Sequence, residues 1–84
     1  MAQTHNVDIK NMAFNPASTT IAKGDTVTWT NRMAMDHTAT ADGGQFDSGN
    51  IKASKTYSHT FNSAGAVGYH CEIHPFMTGT ITVT

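Results

Sequence analysis

The stretch Asp25–Thr30, with the sequence DTVTWT, has the clearest structural pattern in the chain. Val27 and Trp29 alternate with three threonines, so the apolar side chains share one face of an extended segment and the hydroxyls share the other. Lys23 and Gly24, which come just before it, are typical of a turn. The stretch therefore predicts a half-buried β-strand with Trp29 in the core.

The same alternation recurs on both sides of this strand. It predicts further short strands at His5–Lys10, Thr38–Ala41, Lys55–Phe61, Ala66–Cys71 and Thr78–Thr84. We expect loops at Asn11–Ala17 and Asn31–Asp36 and over most of Asp42–Ala53. No window has the periodicity of an amphipathic helix. About seven or eight short strands with turns at this spacing predict an all-β fold, an antiparallel β-sandwich.

Composition limits both the size and the partners of this protein. The chain has 84 residues, so we expect one domain over residues 1–84. Only 13% of the residues are charged and the net charge is −1, which argues against nucleic acid as a partner. No apolar run reaches the roughly 18 residues of a membrane span.

The side chains that bind metals are unusually frequent in so short a chain. A single cysteine excludes an internal disulfide, although a domain of this size usually needs an additional stabilising link. Five histidines and five methionines accompany that cysteine. A bound metal ion is therefore the expected source of additional stability.

The segment Cys71–Met77, with the sequence CEIHPFM, carries the strongest chemical signal. A thiol, an imidazole and a thioether follow one another at intervals of three residues, on a loop between two predicted strands. Thiolate and thioether are soft ligands, and this softness favours copper over magnesium, calcium or manganese. Two histidines and a cysteine in a trigonal arrangement, with a weak axial methionine, form the blue-copper electron-transfer site.

That arrangement requires a second histidine, because the loop supplies only His74. His37 is the best candidate, since it lies where the loop after Asp25–Thr30 ends and a new strand begins. Strand ends cluster at one pole of a sandwich, so we expect His37 to meet the loop Cys71–Met77 there.

Two segments, Lys23–His37 and Gly68–Gly79, closely resemble the corresponding parts of the cupredoxin family of type 1 (blue) copper proteins, which includes plastocyanin. The short Cys-x-x-His-x-x-Met spacing is similar to that of its amicyanin-like members. The resemblance extends from about Val7 to Val83.

The resemblance implies a Greek-key β-sandwich and one copper ion that alternates between Cu(I) and Cu(II). It implies that the copper ligands are His37, Cys71, His74 and Met77. The family often has asparagine or serine directly after the first ligand histidine, whereas this chain has Thr38. The backbone N–H of Thr38 is expected to donate to the sulfur of Cys71.

The remaining histidines are not expected to bind the metal. His70 has the opposite strand parity to the cysteine, so it should face away from the site. His59 shares a half-buried face with two aromatic residues, and His5 lies near the N-terminus and should be exposed. Asn31 opens the loop to the first ligand and is expected to brace it by hydrogen bonds.

We therefore predict a mononuclear copper electron carrier, not an enzyme. A copper carrier or chaperone that uses the same ligands is the alternative. An enzyme with a Cys71–histidine nucleophile pair is disfavoured, because no oxyanion-hole glycines accompany the pair.

The resemblance also implies a redox protein as electron donor and another as acceptor, such as a dehydrogenase or a c-type cytochrome. We expect them to dock on an apolar patch around His74, formed by Met33, Met35, Pro75 and Phe76. We expect the protein to be a monomer in the periplasm or outside the cell. We also expect that a signal peptide has been removed from it.

Overall fold

The structure, a computed structural model, describes residues 2–84, which form eight strands in two four-stranded sheets. The strands are β1 (Thr4–Lys10), β2 (Ala13–Asn15), β3 (Ser18–Ile21), β4 (Thr26–Asn31), β5 (Thr40–Ala41), β6 (Thr56–Thr60), β7 (Gly65–His70) and β8 (Thr78–Val83). The predicted all-β sandwich is confirmed. Within the described residues no helix is long and apolar enough to cross a membrane.

The strand order is β2-β1-β4-β6 in one sheet and β3-β8-β7-β5 in the other. After β2 the chain crosses repeatedly between the two sheets, which gives the Greek-key connectivity. Two of the six strand pairings, β1 with β4 and β3 with β8, are parallel. The prediction of an antiparallel sandwich was wrong at these pairings. A crossover through the opposite sheet lets β4 return beside β1 in the same direction. The alternation of side chains along a strand is the same for either strand direction, so the sequence pattern does not distinguish the two.

The prediction of a loop at Asn11–Ala17 was also wrong, because this range contains β2. The chain reverses at Asn11 and Met12, which both have positive φ angles. It then pairs antiparallel with β1 and buries Phe14. Three residues are too few to show a period of two, so the sequence pattern does not identify this strand. The short strand β3, mostly threonine and serine, was missed for a similar reason.

The core lies between the sheets and is centred on Trp29, which is fully buried as predicted. The Tyr69 ring lies edge-on to Trp29, with ring centroids 5.3 Å apart. Across the β7–β8 pairing, Tyr69 stands opposite Gly79 and covers it so closely that a Cβ on Gly79 would collide with the tyrosine ring. Burial raises the pKa of Tyr69 to about 12, so the phenol remains neutral. This packing fixes the end of β7, which Cys71 directly follows.

Asp25 anchors the N-terminal strand to the turn before β4. Its carboxylate accepts hydrogen bonds from the backbone N–H groups of Gln3 (2.9 Å) and Ala22 (3.1 Å). It also lies 3.0 Å from Nε2 of His5. The hydrogen bond with His5, followed by the two backbone donors, lowers the pKa of Asp25 from 3.8 to about 2.

We predict that Asp25→Asn lowers the melting temperature at neutral pH. Because the pKa of Asp25 is depressed in the folded state, its ionisation stabilises the fold above pH 3.8, and this stabilisation is lost as the pH falls towards about 2. Unfolding curves at several pH values should therefore show a weaker acid destabilisation in the variant than in the wild type.

Asp8→Asn is the matched control, because Asp8 pairs with Arg32 on the surface, where ion pairs contribute little. An Asp25→Asn protein with the wild-type dependence of stability on pH would contradict this role of Asp25.

Candidate metal centre

The loop between β7 and β8 folds back on itself and brings its two ends together. The N–H of Cys71 donates to the carbonyl of Met77 (3.0 Å), and the N–H of Met77 donates to the carbonyl of His74 (2.9 Å). Cys71 and Met77 are both buried, whereas His74 is half-buried. The three candidate ligands on this loop are thus held at one end of the sandwich.

His37 enters the same region from the loop after β4. Its backbone N–H and carbonyl pair with those of Ile51 at 3.2 and 2.7 Å in an isolated β-bridge, and its side chain is fully buried. The sequence pattern gave no sign of Ile51 as a partner, because this bridge forms within a range predicted as a loop. The bridge fixes the backbone from which the His37 imidazole projects.

Asn31 holds the loop that leads to His37, as predicted. It is fully buried, and its amide nitrogen donates to the carbonyls of Met35 and Ile51, both at 2.8 Å. Its amide oxygen accepts from the N–H of Met33 at 2.9 Å. One side chain therefore ties the loop both to itself and to the segment that pairs with His37.

The sulfur of Cys71 lies 3.8 Å from Nδ1 of His37 and 3.8 Å from Nδ1 of His74. The three ligand atoms all lie within 4.8 Å of one another. With metal–sulfur and metal–nitrogen bonds of about 2.3 and 2.0 Å, as for zinc, ligands about 120° apart would be separated by about 3.7 Å. The sulfur–nitrogen distances therefore fit a trigonal metal ion between the three side chains.

The direction of the His37 pKa shift and the donor atoms of this cluster favour a soft metal ion. Burial lowers the pKa of His37, the neighbouring His74 lowers it further, and Asp36 acts in the opposite direction. A neutral imidazole keeps the lone pair that a metal ligand needs. The thiol and two imidazoles form the group without a carboxylate among the described residues. This donor set fits copper better than the hard cations.

Two backbone amides point at the candidate thiolate. The N–H groups of Thr38 and His74 each donate to the sulfur of Cys71 at 3.4 Å. The donor at Thr38 is the one predicted from the sequence. The hydroxyl of Thr38 also accepts a hydrogen bond from the N–H of Glu72 at 2.8 Å. This side-chain tether joins the two ligand-bearing segments, although the sequence has threonine where the family often has asparagine or serine.

The other three histidines lie outside the cluster. His70 places its two ring nitrogens 2.6 and 3.2 Å from the carboxylates of Asp42 and Glu72. His59 packs against Phe61, with ring centroids 4.8 Å apart, and burial lowers its pKa. His5 contacts Asp25 and is half-buried, so the prediction that it is exposed was wrong.

Comparison with protein families gives an independent result. A family model described as copper binding proteins, plastocyanin/azurin family, matches residues 1–84. The chain is 39% identical over 82 residues to an amicyanin from Paracoccus denitrificans, with 92% of this chain and 63% of that protein covered. It therefore spans a little under two thirds of the length of that relative.

Other matches agree with this family. A plastocyanin from Scenedesmus fuscus is 39% identical over 85 residues, which cover 86% of this chain and 87% of the relative. Among solved structures, the Cu(I) form of an amicyanin variant superimposes with a TM-score of 0.92 at 36% identity. That match covers 96% of this chain and 82% of the other.

Proposed function

The chain belongs to the plastocyanin/azurin family of copper-binding proteins, and we propose that it carries single electrons between redox partners through one type 1 copper ion. One observation supports this above the others. A buried thiol lies 3.8 Å from the Nδ1 atoms of two imidazoles, at an end of the sandwich where a buried methionine closes the loop. This is the donor set of a blue-copper site.

We propose that His37, Cys71, His74 and Met77 would hold the copper ion, with the thiolate and the two imidazoles as the strong ligands and the thioether as the weak one. When bound, the copper ion supplies the one-electron Cu(I)/Cu(II) couple. The protein holds the donor atoms in place: the β-bridge fixes His37, and the hydrogen bonds of the loop fix the other three. Fixed ligands limit the rearrangement that accompanies electron transfer, which keeps its barrier low.

The exposure of the ligands favours an electron carrier over an enzyme. Cys71 is completely buried, so a substrate carbonyl has no access to its sulfur. His74 alone among the four is half-buried, and it therefore offers a short route for an electron between the site and the surface. A thiol nucleophile would require the opposite pattern, with the sulfur accessible to its substrate.

The surface around His74 supports an apolar docking patch. Phe76 is 70% exposed, and its ring centroid lies 6.2 Å from that of His74. Met35 is 46% exposed and Ile73 is 44% exposed. Ile73 and Phe76 lie on the loop with His74, and Met35 lies on the loop that leads to His37. Exposed apolar side chains that cluster on a surface mark interaction sites. We propose that a redox donor and a redox acceptor, such as a dehydrogenase or a c-type cytochrome, dock here in turn.

The oligomeric state and the location of the protein follow from the same proposal. Residues 1–84 would act as one cupredoxin domain and as a monomer, because a shuttle must separate from each partner. We place it outside the cytoplasm, in the periplasm or beyond, where copper electron carriers meet their redox partners.

We predict that one equivalent of Cu(II) gives an intense visible thiolate-to-copper absorption. Cys71→Ser should abolish this band, because an alkoxide or hydroxyl oxygen cannot replace the thiolate. His70→Gln is the neighbouring control and should keep the colour, since His70 contacts carboxylates and not the site. An intense blue band in Cys71→Ser would refute the assignment.

A copper carrier with the same ligands would also be blue, so kinetics must separate the two functions. We expect electron transfer to a redox partner to be much faster than release of copper to a chelator. Copper transfer that outpaces electron transfer would favour the carrier.

We predict that Phe76→Glu slows bimolecular electron transfer with the physiological partner while the visible spectrum remains unchanged. A buried negative charge at the contact would cost desolvation energy and weaken the encounter complex. Ser58→Glu introduces the same charge on the exposed face of β6 and serves as the control. Equal rates for both variants and the wild type would place docking elsewhere.

A further inference from the structure

A chain of hydrogen bonds runs from the ligand loop to the loop that follows β5. The hydroxyl of Thr38 accepts from the N–H of Glu72 (2.8 Å) and lies 3.0 Å from the hydroxyl of Thr40. Thr40 in turn donates to a carboxylate oxygen of Asp47 (3.1 Å), which also accepts from the N–H of Gly49 (3.0 Å). Both threonines are buried.

The number of protons that each group can donate determines the direction in which these hydrogen bonds run. Each hydroxyl has one proton to donate, and that of Thr40 is committed to the carboxylate of Asp47. Thr40 can therefore only accept from Thr38, and Thr38 in turn accepts from the backbone N–H of Glu72. Every donor points towards the carboxylate, and hydrogen bonds aligned in this way strengthen one another in a buried environment.

These side-chain hydrogen bonds add to the backbone bridge between Thr40 and Asp47 and link three segments of the protein. Glu72 follows Cys71, Thr38 follows His37, and Asp47 belongs to the loop between β5 and β6. Because Asp47 holds Thr40, and Thr40 fixes the hydroxyl of Thr38, the carboxylate determines the orientation in which Thr38 accepts from Glu72. The backbones of two candidate ligands are thereby held together.

We propose that Thr40 and Asp47 are positioning residues for the metal centre, which act through Thr38 on the hydrogen bonding around the sulfur of Cys71. The proposal rests on the proposed copper site. The N–H of Thr38 donates to that sulfur at 3.4 Å. Hydrogen bonds to the cysteine sulfur tune the potential of a blue-copper site, because they withdraw electron density from the thiolate.

The test compares Thr40→Val, which keeps the shape but removes the hydroxyl, with Thr40→Ser, which keeps the hydroxyl. Two quantities are measured: the reduction potential of the copper-loaded protein, and hydrogen exchange of the Glu72 amide in the copper-free protein. We expect Thr40→Val to lower the potential and to accelerate exchange at Glu72. Thr40→Ser should stay near the wild type in both.

A double-mutant cycle tests whether the effect passes through Thr38. In a Thr38→Val background, Thr40→Val should cause little further change in potential, because the link is already broken. Additive shifts would overturn the proposed route. Wild-type potential and exchange in Thr40→Val would overturn the whole proposal, and Thr40→Ala provides a second variant if the valine protein does not fold.

Failure of the copper site and failure of this proposal are distinguishable. If the wild type binds no copper, the proposed function fails, yet the exchange rates of the copper-free variants still test the hydrogen-bonded chain. If the wild type is blue but Thr40→Val matches it in both measurements, only the positioning role is wrong.

Discussion

The sulfur of Cys71 is the atom around which the rest of the site is arranged. It is fully buried and receives hydrogen bonds from two backbone amides, with two imidazole nitrogens 3.8 Å away. A buried thiolate is costly unless its charge is compensated. A soft metal cation compensates this charge and at the same time cross-links a small core that has no disulfide.

The fold provides a site for such a cation by bringing the ends of two strands to one pole of the sandwich. Tyr69 packs over Gly79 and fixes β7, from which Cys71 follows directly. Asn31 fixes the opposite loop, from which His37 follows. Because each ligand-bearing segment is held by its own buried contacts, the donor atoms converge without help from the metal. Convergence of this kind suits an electron carrier, since it limits movement when the charge changes.

The sequence predicted the parts of the structure that depend on local chemistry. Alternation around Trp29 predicted the core strand, and the spacing of Cys71, His74 and Met77 predicted a metal-binding loop, whose cysteine and histidine the structure brings beside His37. It did not predict β2, whose three residues are held by pairing with β1, nor the parallel register of β1 and β4. Both depend on contacts between segments that are far apart in the sequence. The alternation of side chains within one segment carries no information about such contacts.

Contacts between distant segments were also difficult to predict within the metal centre. His37 was found because strand ends meet at one pole, and the amide of Thr38 followed from its place next to that histidine. The bridge from His37 to Ile51 had no signal in the sequence. The position of Thr38 beside His37 pointed to a tether between the two loops, but the sequence did not identify Glu72 as its partner. They arise only when three loops are folded against one another. The comparisons with plastocyanin and amicyanin show the family to which the chain belongs, but they do not describe these contacts.

We propose that the protein holds one set of copper ligands in both oxidation states. X-ray absorption spectroscopy of the oxidised and reduced protein at neutral pH is the decisive measurement. We expect one short copper–sulfur bond and two copper–nitrogen bonds in each state, with only small changes in length. Loss of an imidazole on reduction, or a copper shell without a short sulfur bond, would contradict it.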